Sequence, residues 1–154
     1  MRKINNPFTQ LHDYRCFGCD PHNPIGLNLE FNDCGDYIES RWNPSKNYEG
    51  WVGVLHGGIQ ATIMDEVAGW VVFAQIGRSG VTARMDVKYK RAVLISDGEI
   101  RVVARLVSHE RNLATISVEL SQKEVIAATA TIQYFVFSEE VSKDKYFYPG
   151  SDAF

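Results

Sequence analysis

The second half of the chain carries the hydrophobic pattern of β-strands. In residues 81–90 every second side chain is apolar: Val81, Ala83, Met85, Val87 and Tyr89. This alternation is typical of a strand with one apolar face. Three more strands are predicted at residues 99–108, 113–121 and 125–137. The segments that join the four, SDGE, HERN and QKE, are typical of hairpin turns.

Two shorter strands are predicted earlier in the chain. Residues 27–31, LNLEF, are apolar at alternate positions, and residues 37–42, YIESRW, follow the turn-like NDCGD. This pair predicts an antiparallel hairpin. Residues 43–53 are predicted to form a loop.

A long helix is predicted from Gly58 to about Ile76. Its apolar residues occupy both faces: Ile59, Ile63, Val67, Trp70 and Val71, and also Ala61, Met64, Ala68 and Val72. Such a helix is buried on most sides, and Gly77 is placed to end it. One helix with six strands predicts an α+β fold in which a curved antiparallel sheet wraps the helix.

The two ends of the chain are predicted to lie outside this domain, which spans residues 27–137. Residues 1–26 are rich in Asn, Pro, Gly and Asp and predict a lead-in segment of loops. Residues 138–154 predict a tail that is either mobile or docked through its aromatic stretch YFY.

Composition places the chain among globular proteins. Of its 154 residues, 45% are hydrophobic and 23% charged, which suits one domain without disulfide or metal staples. The net charge of -3 argues against a nucleic-acid partner. No apolar run approaches the roughly 20 residues of a membrane span, and MRKINNPFTQ lacks the apolar region of a signal peptide. Three cysteines then indicate a cytoplasmic protein with free thiols.

Asp65 is the residue that the helical pattern leaves unexplained. A carboxylate in an apolar setting loses hydration, which costs several kcal/mol unless hydrogen bonds compensate. Two interpretations stay open: Asp65 serves chemistry, or it faces a solvated edge together with Glu66. The helix is preceded by His56, Gly57 and Gly58. Free N–H groups at a helix start can stabilise an oxyanion. Paired glycines at such a position can also serve only to relieve steric crowding.

Three segments resemble a known family in the order in which the family has them. HGGIQATIMDE, residues 56–66, is similar to the motif of hotdog-fold thioesterases of the phenylacetate-degradation type, with the same spacing from His56 to Asp65. Residues 81–93 resemble the family strand that opens with Thr, although Ala92 stands where the family usually has Pro. Residues 16–31, CFGCDPHNPIGLNLEF, resemble its lead-in.

The resemblance implies a hotdog fold whose active sites form between paired subunits, in a homodimer or homotetramer, and hydrolysis of acyl-CoA thioesters without a cofactor. Asp65 matches the catalytic carboxylate, Gly57 the backbone donor to the thioester carbonyl, His56 a neighbouring support and Thr82 the strand hydroxyl. Substrate-binding residues are expected at Gly58 and, for the CoA phosphates, at a basic run: Lys88, Lys90 and Arg91. Trp70, Phe73 and Trp51 are expected to belong to the core, with the pocket wall as the alternative position for each.

Other chemistry is weighed beside this expectation. His12, Cys16, Cys19 and His22 lie close in sequence, but their spacings do not match zinc fingers, so no metal is expected. No phosphate loop or Gly-x-Ser-x-Gly elbow occurs. Two alternatives to the thioesterase stay open: a hotdog dehydratase or hydratase that uses His56 with Asp65, and a non-catalytic module that binds acyl-CoA.

Overall fold

A computed structural model describes residues 1–154 and places one long helix against an antiparallel sheet. The α-helices are α1, Gly57–Val71, which continues as a π-helical segment over Val72–Ile76, and α2, Glu139–Tyr146. The strands are β1, Arg2–Lys3; β2, Asn32–Asp33; β3, Ile38–Trp42; β4, Glu49–Trp51; β5, Val54–Leu55; β6, Gly80–Tyr89; β7, Ile100–Glu110; β8, Leu113–Gln122; and β9, Val125–Val136. Neither helix has the length and apolar character needed to span a membrane.

Seven strands form the main sheet in the order β1-β2-β3-β7-β8-β9-β6, and all neighbours are antiparallel. This arrangement confirms the α+β class and the four long strands. The HERN and QKE turns are hairpins, but the SDGE prediction is wrong. Strands β6 and β7 are not neighbours: β6 pairs with β9, and β7 lies between β3 and β8. The segment that contains SDGE therefore crosses from one part of the sheet to another. Strand β6 is therefore an edge strand.

The predicted hairpin at residues 27–42 is only partly right. Leu27, Leu29 and Phe31 are buried as their alternation predicts, but they form no strand. Asn28 has a φ of 52°, which breaks the extended backbone. The N–H groups at 27 and 29 donate instead to the carbonyls of the lead-in segment, so that only Asn32–Asp33 pairs with β3.

The predicted loop at residues 43–53 is also more ordered than expected. Lys46–Tyr48 form a short 3-10 helix, and β4 pairs with β5 in a separate hairpin. This hairpin exposes Trp51 to solvent just before the start of α1. Trp51 is therefore neither the core residue that is expected nor a wall of a buried pocket within the chain.

Helix α1 is covered by the sheet on one side and by both ends of the chain on the other. It packs on β3 and on β6 to β9. On its outer side the Trp70 ring stacks on Phe31 at 4.8 Å and meets Phe154 edge-on at 5.9 Å. The ring centroids of Phe8 and Phe73 lie 5.0 Å apart. The expectation that the sheet alone wraps the helix was therefore incomplete, and the tail docks through Tyr148 and Phe154.

We predict that Phe154→Ala lowers the free energy of unfolding by about 3 kcal/mol, since it removes a buried ring from this aromatic cover. Phe154 is 4% exposed and packs on the rings of Phe8, Trp70, Phe73 and Tyr148. Urea denaturation measures the change. Val52→Ala is the control, because Val52 is 82% exposed and its truncation should change stability by less than about 0.5 kcal/mol. Equal effects of the two variants would show that the C-terminal residues do not hold the helix.

Candidate active site

Asp65 lies where α1, β6 and β9 meet, and two hydroxyl groups hold its carboxylate. Thr82 Oγ1 on β6 donates to Asp65 Oδ1 at 2.8 Å, and Tyr134 Oη on β9 lies 2.8 Å from the same oxygen. Tyr134 also lies 2.7 Å from the Asp65 carbonyl oxygen. Asp65 Oδ2 makes no hydrogen bond within the chain. One oxygen of the half-buried carboxylate is therefore anchored, and the other is available to a substrate or to water.

A β-bulge in β6 explains why Thr82 faces the helix. Simple alternation from Val81 and Ala83 places Thr82 on the opposite face from the helix, and this inference is wrong. The register with β9 shifts between Thr82 and Arg84, so that Thr82 opposes Tyr134 and Ala83 is the extra residue. Thr82 before the bulge and Met85 after it then face the same side.

Tyr134 reaches Asp65 because Gly69 leaves room for it. A Cβ at Gly69 would lie 3.2 Å from the Tyr134 oxygen, which is closer than a relaxed contact. Burial, with a smaller contribution from the Asp65 charge, holds the pKa of Tyr134 well above its usual value. Tyr134 therefore keeps its proton and remains a hydrogen-bond donor at the site.

The start of α1 forms a second group of candidate residues. His56 is the N-cap, and its Nδ1 accepts a hydrogen bond of 2.8 Å from the N–H of Gly58. Tyr89 Oη donates to the Gly57 carbonyl at 2.6 Å. The N–H of Gly58 is thus occupied, whereas the N–H of Gly57 has no acceptor within the chain. Gly57 is therefore the free backbone donor of the HGG motif, and His56 fixes the turn that presents it.

The two groups do not meet within one chain. Gly57 precedes Asp65 by eight residues of continuous helix, roughly 12 Å of rise. A single thioester carbonyl cannot contact both. Of the predicted catalytic residues, the structure joins Asp65 with Thr82, and separately His56 with Gly57.

The predicted basic residues lie at the end of β6 on a different side from Asp65. Arg84 and Lys88 line a cleft of about 400 Å³ on the outer face of the sheet, together with Asp86. Lys90 and Arg91 follow the strand and are exposed. Tyr89, not one of these cations, contacts the helix start within the same chain.

A mostly apolar cavity of about 550 Å³ adjoins Thr82 and Tyr134. Its walls come from the lead-in segment, α1, β6 and the C-terminal segment, and include Phe8, Leu11, Phe73, Val81, Tyr146 and Phe147. Phe73 thus lines the cavity, which is the alternative to the core position expected for it, whereas Trp70 belongs to the core as expected. The sequence pattern missed the walls from the two ends, because isolated aromatic residues in irregular segments carry no periodic signal.

Glu66, Cys16 and Cys19 form a further cluster beside this cavity. Cys16 Sγ lies 3.3 Å from Glu66 Oε1. The thiol of Cys19 and nearby backbone N–H groups favour the Cys16 thiolate and lower the pKa of Cys16 to about 5, while burial raises the pKa of Glu66 to about 8. Glu66 therefore does not face a solvated edge. His12 pairs with Asp13 and His22 with Asp20, so neither histidine joins the cysteines.

Comparisons with known proteins show the family and the fold of the chain. The family model described as the thioesterase superfamily matches residues 52–140, while no curated protein matches the chain. The structure is similar to conserved protein PA5202 from Pseudomonas aeruginosa, at 27% identity and a TM-score of 0.66, covering 72% of this chain and 90% of that one. It is also similar to a phenylacetic acid degradation-related protein from Ralstonia eutropha JMP134, at 26% identity and a TM-score of 0.65, covering 72% and 86%. A thioesterase protein with coenzyme A from Streptococcus pneumoniae TIGR4 shares the fold, at 22% identity, a TM-score of 0.66, and coverage of 72% and 90%.

We predict that Tyr134→Phe lowers the free energy of unfolding by about 1 to 2 kcal/mol, because the half-buried Asp65 loses the hydrogen-bond donor that a buried side chain supplies. Tyr89→Phe is the matched control. Both hydroxyls donate to helix α1, but Tyr134 is 5% exposed and Tyr89 is 51% exposed, so water replaces the lost bond only at Gly57. Chemical denaturation of both variants measures the difference, and equal losses would contradict the assignment of Tyr134 as a buried anchor.

Proposed function

The chain belongs to the thioesterase superfamily, and from this premise we propose that it hydrolyses acyl-CoA thioesters to the free acid and CoA. Its likeness to thioesterase structures confirms the expected hotdog fold. The observation that carries the proposal is the Asp65 carboxylate, anchored through one oxygen by Thr82 and Tyr134 beside an apolar cavity. The cavity suits an acyl group, and the fold accommodates coenzyme A in the S. pneumoniae protein.

Two copies of the chain complete the site in this proposal. Strand β6 is a ten-residue edge, and a long unpaired edge favours pairing with another strand. If two β6 strands pair antiparallel about a two-fold axis, the Thr82 end of one lies against the Tyr89 end of the other. Since Tyr89 contacts Gly57, this pairing brings the partner subunit's Gly57 towards Asp65. A homodimer, or a homotetramer built from it, therefore joins the two groups that one chain keeps apart.

The reaction then uses both groups. The thioester carbonyl oxygen accepts a hydrogen bond from the Gly57 N–H at the positive end of a helix, which stabilises the oxyanion. Asp65 Oδ2 either attacks the carbonyl carbon, so that the CoA thiolate leaves and water then hydrolyses the mixed anhydride, or it takes the proton of a water that attacks the carbonyl, so that the acid forms as the CoA thiolate leaves. Thr82 and Tyr134 hold the other carboxylate oxygen, so the reactive oxygen keeps one orientation. His56 positions Gly57 through the cap and does not touch the substrate.

The basic side chains at and just after the end of β6 would bind the CoA phosphates. Lys88, Lys90 and Arg91 are exposed, and β6 pairing carries them to the side of the partner's Asp65. Gly58 contributes to binding through the close approach that its missing side chain allows. Three free cysteines support the cytoplasmic location included in this proposal.

We predict that Asp65→Asn reduces thiol release from acyl-CoA esters at least about 100-fold, roughly 2.7 kcal/mol of barrier, because the amide neither attacks nor deprotonates water. The melting temperature should hold or rise, since the amide oxygen still accepts from both hydroxyls and no charge is desolvated. Asp86→Asn, on the outer face of β6, is the control and should retain activity. Thiol release distinguishes hydrolysis from a hydratase or a binding module. An active Asp65→Asn variant that melts much lower would overturn the proposal.

We predict that Gly57→Pro abolishes most activity without unfolding α1. Gly57 is the first residue of the helix, where proline is tolerated, and the ψ of 131° at His56 is compatible with a following proline. Proline removes the N–H and adds a ring at this position, so thiol release should fall about 100-fold or more. Gly57→Ala keeps the N–H, and its Cβ meets Tyr89 at an ordinary 3.4 Å, which makes it the matched control.

Mixing the two inactive variants tests whether the site is shared. Asp65→Asn and Gly57→Pro chains, coexpressed in equal amounts, should recover about a quarter of wild-type activity, because each mixed dimer contains one intact site. No recovery in demonstrated mixed dimers would show that each site uses one chain only.

A further inference from the structure

Three side chains of types that ligate metals lie together beside helix α1, and two of them, Cys16 and Glu66, line the cavity that adjoins Thr82 and Tyr134. The Sγ atoms of Cys16 and Cys19 and a carboxylate oxygen of Glu66 all lie within 4.8 Å of one another. The cysteines belong to a Cys-x-x-Cys turn of the lead-in segment, and Glu66 comes from the helix. Two thiolates and a carboxylate are ligands that a borderline-soft divalent cation such as Zn²⁺ accepts, with a fourth position for water.

The fold holds this cluster tightly. A Cβ at Gly18, between the two cysteines, would lie 2.5 Å from the Glu66 carboxyl carbon, so the turn approaches Glu66 as closely as glycine allows. Cys19 is buried, and the turn is closed by a hydrogen bond from the Asp20 N–H to the Cys16 carbonyl. The cluster therefore joins the lead-in segment to the helix at a fixed point.

Hydrogen-bond donors surround the sulfur atoms. Asn6 Nδ2 donates to Cys19 Sγ at 3.6 Å, and Tyr14 Oη lies 3.0 Å from the same sulfur. Donors of this kind stabilise metal-bound thiolates and fix their orientation. By contrast, no Lys or Arg forms an ion pair with Glu66. Within the chain, the cluster has donors for thiolates but no cation for its carboxylate.

We propose that Cys16, Cys19 and Glu66 bind one Zn²⁺-class cation, which fastens the lead-in segment to α1 next to Asp65. The role is structural. The ion supplies the positive charge that the cluster lacks, and it holds Glu66, the neighbour of Asp65, against the Cys-x-x-Cys turn. This proposal is independent of the thioesterase assignment, since it concerns metal affinity and stability rather than turnover.

The test uses the full-length protein, stripped of metal with a chelator and kept reduced. Zn²⁺ is titrated in competition with a chromophoric chelator, and Co²⁺ is added separately to record thiolate-to-metal charge-transfer absorption. Wild type and Cys34→Ser, the matched cysteine control, should each bind one ion per chain and melt higher when zinc is added. Cys16→Ser should lose the cobalt charge-transfer band, and Glu66→Gln should weaken zinc affinity at least about tenfold.

Several results would overturn the proposal. These are zinc uptake well below one ion per chain by reduced wild type, or equal affinity in Cys16→Ser, Glu66→Gln and wild type. Loss of two thiols on mild oxidation, without zinc uptake by the reduced protein, would assign the cysteines to a disulfide pair instead. If Cys16→Ser fails to fold, the wild-type cobalt spectrum and the nearly isosteric Glu66→Gln variant decide the question.

Discussion

The structure depends on the need to cover a helix that is apolar on every side. The sheet shields only one side of α1, so the chain uses both of its ends to shield the other, with Phe8 and Phe31 from the beginning and Tyr148 and Phe154 from the end. Burial of these rings supplies the free energy that orders two otherwise irregular segments. The same packing encloses the cavity beside Thr82 and Tyr134.

The Asp65 carboxylate lies at the edge of this apolar frame, where hydrogen bonds hold one of its oxygens. Asp65 is held by two hydroxyls from adjacent strands, and the bulge at Ala83 is what turns Thr82 towards it. Gly69 then admits the Tyr134 oxygen. The β-bulge at Ala83 and the absence of a side chain at Gly69 together create the environment of the carboxylate.

The sequence predicted the elements whose signal is periodic and missed those whose signal is not. The long helix and the strands from Gly80 to Val136 follow from apolar spacing. Asp65 was singled out by its place in an apolar helix and Thr82 by a resemblance in motif, and the structure places the two side chains in contact. The orientation of Thr82 was inferred wrongly, because a bulge reverses alternation and leaves no mark in composition. The approach of Cys16 to Glu66 joins residues 50 positions apart, and no local pattern reports such a contact. The SDGE turn was read as a hairpin because turn residues do not reveal which strand comes next in the sheet.

Two aromatic rings, Phe8 and Phe73, contribute both to the cavity and to the cover of the helix, and this limits how the protein can diverge. Phe8 and Phe73 line the cavity and also stack within the cover of the helix. A substitution at either residue that reshapes the cavity for a different ligand therefore also lowers the stability of the fold. A change in ligand preference at these positions then requires compensating substitutions elsewhere in the cover of the helix. Tyr146 and Phe147 are more exposed wall residues. Variation among descendants of this protein should accumulate at these two positions first, where a new preference costs little stability.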